Sequence, residues 1–435
     1  MMSFARKIFL LAAAGVAVRA AEPASLTLEQ ALGAVETANI TALLGREAVA
    51  QALELANQQR VGVLPNVALS AQQRRAQAVA LAGGVPVQGV AANRFDGKLT
   101  GSYAVLDPVR RSALRASRVG AEVAEHDYRA ILQGVQAGVA AGYFTHLRNL
   151  RRLDVLEANI ARARALLDLA QNQLKAGVAT QIDVTRAEAQ LALTEQARLQ
   201  QETVIVQGAQ ALRRLLGLPG GGELRLADFA VRRAGAVGFT AFEEKTNFER
   251  RADWLRAAKA LEQSQLDVRT AKFGRLPALA LGGEYGLVSG EVFDGGKKEA
   301  WFAGATITVP VFDGLKNGAD QRAALSRQRA QDLRLKNLEL QISSELRVAT
   351  QDASSRNAQI TVAEKSLRLA EEELKLARVR FEKGAADNRE IVEAQNRLAI
   401  AGDNLVEAVY QYNLSRVELA RAKGEVRAIL AEKTE

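Results

Sequence analysis

The sequence predicts a mainly α-helical chain that also carries membrane-type β-strands and is built from one unit used twice. An apolar ladder with alternating three- and four-residue steps runs through Leu153, Leu156, Ile160, Ala163, Leu167, Ala170 and Leu174 and ends three residues before Gly177. It recurs as Ile360, Ala363, Leu367, Ala370, Leu374, Ala377 and Phe381, three residues before Gly384, each position 207 residues after its counterpart. Such a stripe buries one narrow seam against another helix. Two in-register copies that each end at a glycine predict a duplicated helical hairpin. The second observation is the proline distribution: all seven prolines lie at or before Pro310, and residues 109–218 and 311–435 contain none. Stretches of that length can hold helices far longer than the ordinary 10–14 residues. The third is a pair of extended segments before each hairpin, in which Leu64-Pro65-Asn66-Val67-Ala68-Leu69 resembles Leu276-Pro277-Ala278-Leu279-Ala280-Leu281.

Taken in chain order, the first 20 residues read as a secretory signal peptide. Arg6 and Lys7 precede an apolar run from Ile8 to Val18, too short for a bilayer, and small residues follow near Ala20. Its removal would lower the formal charge from +9 to +6, because Arg6, Lys7 and Arg19 leave with it. The first repeat is expected over 21–216: a helix at 27–60, strands at about 64–81 and 95–107, then a hairpin over 108–216. Asp107-Pro108 is a good helix start, with proline at the first helical position. A helix from Pro108 to the tip would run about 100 Å. Residues 217–250 form a Gly-rich connecting segment. The second repeat, 251–435, repeats the order: a helix at 247–273, strands at about 276–289 and 299–313, and a hairpin over 315–432.

The strands alternate. Trp301, Ala303, Ala305, Ile307 and Val309 share one face, and Gly304, Thr306 and Thr308 the other. Leu279, Leu281, Tyr285 and Leu287 share one parity, as do Leu99, Tyr103 and Val105. Apolar-out, small-or-polar-in strands of about ten residues are the pattern of a membrane barrel, and a soluble sandwich gives a similar one. Four strands cannot enclose a usable interior, and open edges are not tolerated in lipid. Strands of this kind in a membrane therefore require several chains in one barrel.

Composition excludes other classes. With no cysteine there is no disulfide, thiol catalysis, cysteine zinc site or N-terminal cysteine lipidation. The Arg and Lys residues are interleaved with acids at helical spacing, as in Arg378-Val379-Arg380-Phe381-Glu382-Lys383, which reads as a solvated helix face; no nucleic-acid partner is expected. His126 and His146 are isolated, so no metal site is expected. Gly290–Lys298 lacks the Gly-Lys-Ser/Thr order of a phosphate loop, and no catalytic constellation or cofactor site is discernible. The chain reads as a non-enzyme.

The order of signal peptide, helix, strand pair, long helix, glycine tip and return helix, given twice, resembles the TolC-type outer-membrane efflux proteins over nearly all of 25–432. The sharpest motif is the second tip, Phe381-Glu382-Lys383-Gly384-Ala385-Ala386-Asp387-Asn388-Arg389-Glu390-Ile391-Val392-Glu393-Ala394, with Leu174-Lys175-Ala176-Gly177-Val178-Ala179-Thr180-Gln181-Ile182-Asp183-Val184 as its first copy. The resemblance implies a homotrimer in outer-membrane lipid, a barrel of about 12 strands continuous with a periplasmic α-helical barrel, and closure at the far end. It implies a passive exit duct of a tripartite efflux or type I secretion system, with a periplasmic adaptor and an inner-membrane pump as partners. Docking is then expected at Ala176, Gly177, Val178, Lys383, Gly384 and Ala385. A gate is expected at Glu390 and Glu393, with Asp183 and Phe381, and with Arg389 or Arg380 standing in for the family's latch arginine, whose position here holds Ala386. Glu390 and Glu393, at i and i+3, share a helix face. In a threefold assembly each becomes a ring of three charges, which selects ions at a constriction. The glycines also have a plain reading as helix C-caps, and the acids one as ordinary exposed side chains. The alternative function is a periplasmic coiled-coil adaptor or scaffold, which would ordinarily carry one hairpin rather than two.

Overall fold

A computed structural model describes residues 25–77, 79–221, 224–228, 248–292, 295–383, 385 and 388–431. The expected signal peptide and most of the 217–250 connection lie outside them. The first helix, α1 (Leu28–Ala38), opens on a reciprocal cap: Gln30 N–H donates to the Thr27 hydroxyl, and Thr27 N–H donates to the Gln30 side chain. The single helix expected at 27–60 is two, because extended Asn39 breaks it and caps α2 (Ile40–Val61) by accepting from Ala42 N–H at 3.0 Å. Strand β1 (Asn66–Ala76) stops short of the expected 81. A two-stranded hairpin of β2 (Val79–Ala82) and β3 (Val85–Gln88) follows, turning at Gly83 and Gly84 with φ of 60° and 84°.

Strand β4 (Ala92–Leu106) leads into α3 (Pro108–Lys175), whose 68 residues span about 100 Å. The Asp107 carboxylate caps it by accepting from Arg110 N–H at 2.9 Å. The chain returns as α4 (Gln181–Leu215). The second half runs through α5 (Ala252–Phe273), β5 (Ala278–Ser289), β6 (Lys298–Thr308), the 67-residue α6 (Lys316–Glu382), α7 (Asn388–Ala422) and a final turn, α8 (Ala428–Ala431). Strand β6 ends at Thr308 rather than 313, just before Pro310, which has no N–H for a ladder bond. The return helix ends at Ala422 rather than 432, because Gly424 turns the chain with φ of 78°.

β1, β4, β5 and β6 form one antiparallel sheet in that order. Its register pairs odd residues with odd and even with even, up to a bulge between Ala104 and Leu106. Leu69, Leu99, Tyr285 and Trp301 consequently stand in one row across all four strands, exposed, and Tyr103, Leu281 and Ala305 form another. The even face carries Ser70, Asp96, Lys98, Thr100, Glu284 and Thr306, and Lys98 bridges Glu284 at 3.1 Å across β4 and β5. Phe302 interrupts this polar face with its ring over Gly304, where a Cβ would meet it at 2.7 Å.

The helical core is distributed along the hairpins. Both ladders face inward, with Ile160, Ala163, Ala170, Ile360, Leu374 and Ala377 buried. At mid-height, Leu28, Leu32 and Val35 of α1 pack on Val139, Ala140 and Tyr143 of α3, Leu212 of α4 and Val417 of α7. The Tyr143 hydroxyl sits between the carbonyl oxygens of Leu26 (3.1 Å) and Ala227 (2.5 Å), so α3 holds the parallel bridge Leu26–Leu226. Burial, with the nearby Asp228 charge, pushes the Tyr143 hydroxyl up to about 12. His146, one turn on, is 1% exposed and its Nδ1 has no partner among the described residues. Burial holds its pKa below the ordinary 6.5, against a smaller opposing effect of its hydrogen bond to the Leu224 backbone. Since the folded state disfavours the proton, the unfolded state binds more of it, and stability is lost as pH falls through 6.5 towards the lower folded value. Melting scans between about pH 7.5 and 5 should show a fall that is smaller in His146→Gln; an equal fall in both would remove His146 from the account.

The two repeats are also clamped in the same way. The α4 terminus turns at Gly217 (φ 66°), with Leu218 N–H donating to Arg213 C=O at 3.0 Å. The α7 terminus turns at Gly424 (φ 78°), with Glu425 N–H donating to Ala420 C=O at 2.9 Å, each residue 207 positions later. This is the left-handed glycine turn that closes many helices. Each turn lies on the backbone just before a neighbouring helix: a Cβ on Gly217 would overlap the carbonyl oxygen of Ala38, and one on Gly424 would come within 2.7 Å of that of Arg250. The N-cap residue of that neighbour then reaches back. Asn39 Nδ2 donates to Leu215 C=O at 2.6 Å, and Arg251 donates to Ala422 C=O at 3.4 Å.

Candidate functional site

The predicted site residues meet at the two hairpin tips. α3 ends in the same glycine turn: Gly177 has φ of 75°, Gly177 N–H donates to Leu174 C=O at 3.0 Å, and Val178 N–H donates to Gln173 C=O at 3.0 Å. At the second tip Ala385 N–H donates to Arg380 C=O at 2.8 Å, the equivalent bond 207 positions on. Gly384 itself, with Ala386 and Asp387, lies outside the described residues. Ala176, Gly177, Lys383 and Ala385 are exposed, and Val178 is 78% exposed, a large aliphatic side chain at the extremity of a hairpin.

The tips are not independent. Leu166 and Ala170 of α3, Val184 and Ala187 of α4, Leu374 and Ala377 of α6, and Ile391 and Ala394 of α7 share one core. The small Ala residues let the four helices approach closely. Polar ties repeat between hairpins: Gln190 Nε2 donates to Asn396 Oδ1 at 2.8 Å, and Gln395 Nε2 donates to Arg162 C=O at 3.3 Å. Arg148 reaches Glu407 at 3.4 Å and lies over the Tyr410 ring at 4.5 Å.

Within this frame the expected gate residues separate. Phe381, expected as part of the gate, is 8% exposed and packs in the shared core. Its last-turn position on the ladder is a hydrophobic position, and without a hydroxyl it needs no polar partner. Asp183 completes a cap: its carboxylate accepts from Thr180 N–H (2.9 Å) and the Thr180 hydroxyl (2.6 Å), and these bonds hold it below the usual carboxylate range. Glu390 and Glu393 do share a face of α7, partly exposed. Neither is a bare acid. Arg380 of α6 meets Glu390 at 3.0 Å, and Arg389 meets Glu393 at 2.8 Å with Arg397 at 3.7 Å. Arg397 also pairs with Glu373 of α6. Arg380 and Arg397, both on the exposed face, therefore strap α6 to α7 across the tip. The run of alternating charges in the sequence carries this signal, but the partners lie on different helices and only the hairpin brings them together. Among the described residues no group of His, Cys, Asp or Glu is arranged to hold a metal, and no helix is long and apolar enough to cross a membrane.

Two long hairpins with glycine tips, set below an antiparallel sheet with one apolar and one charged face, define the class of protein. The chain belongs to the outer membrane efflux protein family, whose model matches residues 45–218 and 247–425. It is similar to outer membrane protein OprJ of Pseudomonas aeruginosa, at 29% identity over 69% of this chain, and to nodulation protein T of Rhizobium leguminosarum bv. trifolii, at 24% over 60%. The matched stretches span 63% and 57% of those two proteins, respectively. Its fold is that of the solved outer-membrane channel OprN, with a TM-score of 0.81 at 21% identity, covering 91% of this chain and 89% of that one.

Proposed function

We propose that the chain is the outer-membrane exit duct of a tripartite efflux or secretion system, a passive channel gated at its helical tips. The observation that carries the reading is the sheet. Its exposed Leu69–Leu99–Tyr285–Trp301 row suits lipid, and its opposite, charged face suits water. Among the described residues β1 and β6 each pair on one side only, so both edges are open. Edges in lipid must be closed. Joining β6 of one copy to β1 of the next in three copies closes a barrel of twelve strands, since each copy brings four. The hairpins then hang below as one tunnel, with Glu390 and Glu393 as rings near its end and the exposed Val178 and Ala385 turns as the surface for an adaptor linked to a pump. A soluble adaptor or scaffold is disfavoured by the same sheet, whose apolar row stands exposed among the described residues.

The test is electrical. Protein extracted from outer membrane should migrate as a trimer that resists mild heating, and should form conducting pores in planar bilayers. Changing Glu390 and Glu393 together to Gln releases Arg380 and Arg389 and removes both acid rings. Single-channel conductance and block by added cations should both change several-fold. Pores that form but behave as wild type would discard the gate; protein that forms none would discard the duct.

A further inference from the structure

We infer that the barrel mouth remote from the helices is a basic collar, set by Arg74, Arg94 and Lys298, that gives the duct a preference for anions. The inference rests on the trimeric barrel proposed above. β1 runs away from the helices and carries Arg74 near its end, β4 returns from that end with Arg94 in its first turn of pleat, and Lys298 opens β6 there. The register places Arg74 directly opposite Arg94. The next row holds Gln72, Asp96, Val288 and Lys298 side by side. All of these are even positions, on the face away from the Leu69–Trp301 row.

The charges on these two rows do not cancel. Asp96, 7% exposed, accepts from Arg94 at 2.8 Å and lies 4.0 Å from Arg74. Lys298 is exposed and pairs with no carboxylate among the described residues. Three cations against one carboxylate leave two positive charges per copy, six in a trimer. Deeper in the barrel, Lys98 and Glu284 neutralise each other at 3.1 Å. Arg75 and Glu299 have odd parity and face the other way; in the β5–β6 loop Glu291, whose carboxylate accepts from Asn93 Nδ2 of β4 at 2.9 Å, and Lys297 add one charge of each sign, and Asp294 lies outside the described residues.

The collar matters because the other end does not oppose it. At the tips Arg380, Arg389 and Arg397 match Glu390, Glu393 and Glu373 within one protomer. The acid rings are thus compensated, while the collar keeps its excess. A ring of like charge at a low-dielectric mouth selects ions by sign and raises the local concentration of the opposite one.

Reversal potentials of the purified trimer in a KCl gradient test this, at low ionic strength, where the screening length reaches about 30 Å at 0.01 M. Wild type should favour Cl⁻ over K⁺. Arg74→Gln with Lys298→Gln keeps Arg94 on Asp96 and removes the whole excess. The Cl⁻/K⁺ permeability ratio should fall at least about threefold, which needs a change of only about half a kT in local potential, because the two ions respond with opposite sign. If the double variant does not assemble as a heat-resistant trimer, Lys298→Gln alone, at an exposed position, should lower the ratio by a smaller factor. A cation-preferring wild type, or conducting variants with an unchanged ratio, would overturn the collar. Absence of any conductance would overturn the duct reading and the collar with it.

Discussion

Arg251→Met should destabilise the assembled protein by about 3–5 kcal/mol, the usual cost of removing one partner from a buried ion pair. The Arg251 side chain is 6% exposed and serves three groups at once: the Asp253 carboxylate at 2.6 Å, the Glu345 carboxylate at 2.8 Å, and the carbonyl of Ala422. Burial alone would raise both carboxyls; the hydrogen bonds and charge of Arg251 outweigh it and hold them below their ordinary values. Met fills the volume but takes the guanidinium from both acids; Asp253 keeps the bond from Trp254 N–H at 2.9 Å, and Glu345 keeps Gln341 at 2.8 Å and Arg421 at 3.8 Å. Measured as the midpoint of denaturant unfolding of the detergent-solubilised trimer, the loss should be large, and Arg251→Met with Glu345→Gln should recover part of it by removing one charge that has lost its main partner. The clamp also has a pH signature. Depressed carboxyls contribute stability at neutral pH that is lost as pH falls below about 4.5 and through their folded values, so the gap between wild type and variant should narrow in acid. An unfolding midpoint unmoved by Arg251→Met would show that the clamp contributes nothing.

Gly217→Ala should be the most damaging of the single-methyl changes, at about 3 kcal/mol or more. Left-handed backbone costs a residue with a Cβ about 1–2 kcal/mol. The remainder comes from contact: the new methyl overlaps the Ala38 carbonyl, so the α1–α2 junction must move and the 2.6 Å bond from Asn39 to Leu215 C=O is lost, worth about 1 kcal/mol. Gly177→Ala is the internal control. It has a similar φ of 75°, but a Cβ there meets nothing within 4 Å. It should cost the backbone strain alone. Equal losses in the two variants would mean that the mid-height contact is irrelevant.

Much of the fold was legible in the residues. The doubled ladder marked both hairpins, and the Gly-centred tips were placed because helix termination is a local event. Strand parity was legible for the same reason, since alternation needs only neighbours in sequence. The strand ends at Ala76 and Thr308 were not, because pairing decides where a strand stops. Nor was the break at Asn39, a residue that sits comfortably within a helical pattern and is diverted by a carbonyl 176 residues away.

The tip constellation divides in the same way. Glu390 and Glu393 could be placed on one face by counting. That Arg380 answers Glu390, and that Phe381 turns into the shared core, depends on how α6 meets α7. The glycine turn at Gly424 repeats that at Gly217, yet its N-cap partner is an arginine with two acids where the first repeat uses a neutral asparagine. Duplication preserved the geometry and let the chemistry diverge.

The sequence by itself determined the duplicated hairpin, the glycine tips and the two-faced strands, because periodicity and backbone preference act over a few residues. Only the tertiary structure decided which charges meet: those of the tip are matched across α6 and α7, whereas Arg74, Arg94 and Lys298 share two neighbouring strand rows with the single acid Asp96. Charge balance at a point depends on distances between side chains far apart in the chain, and those distances exist only once strand register and helix packing have set them.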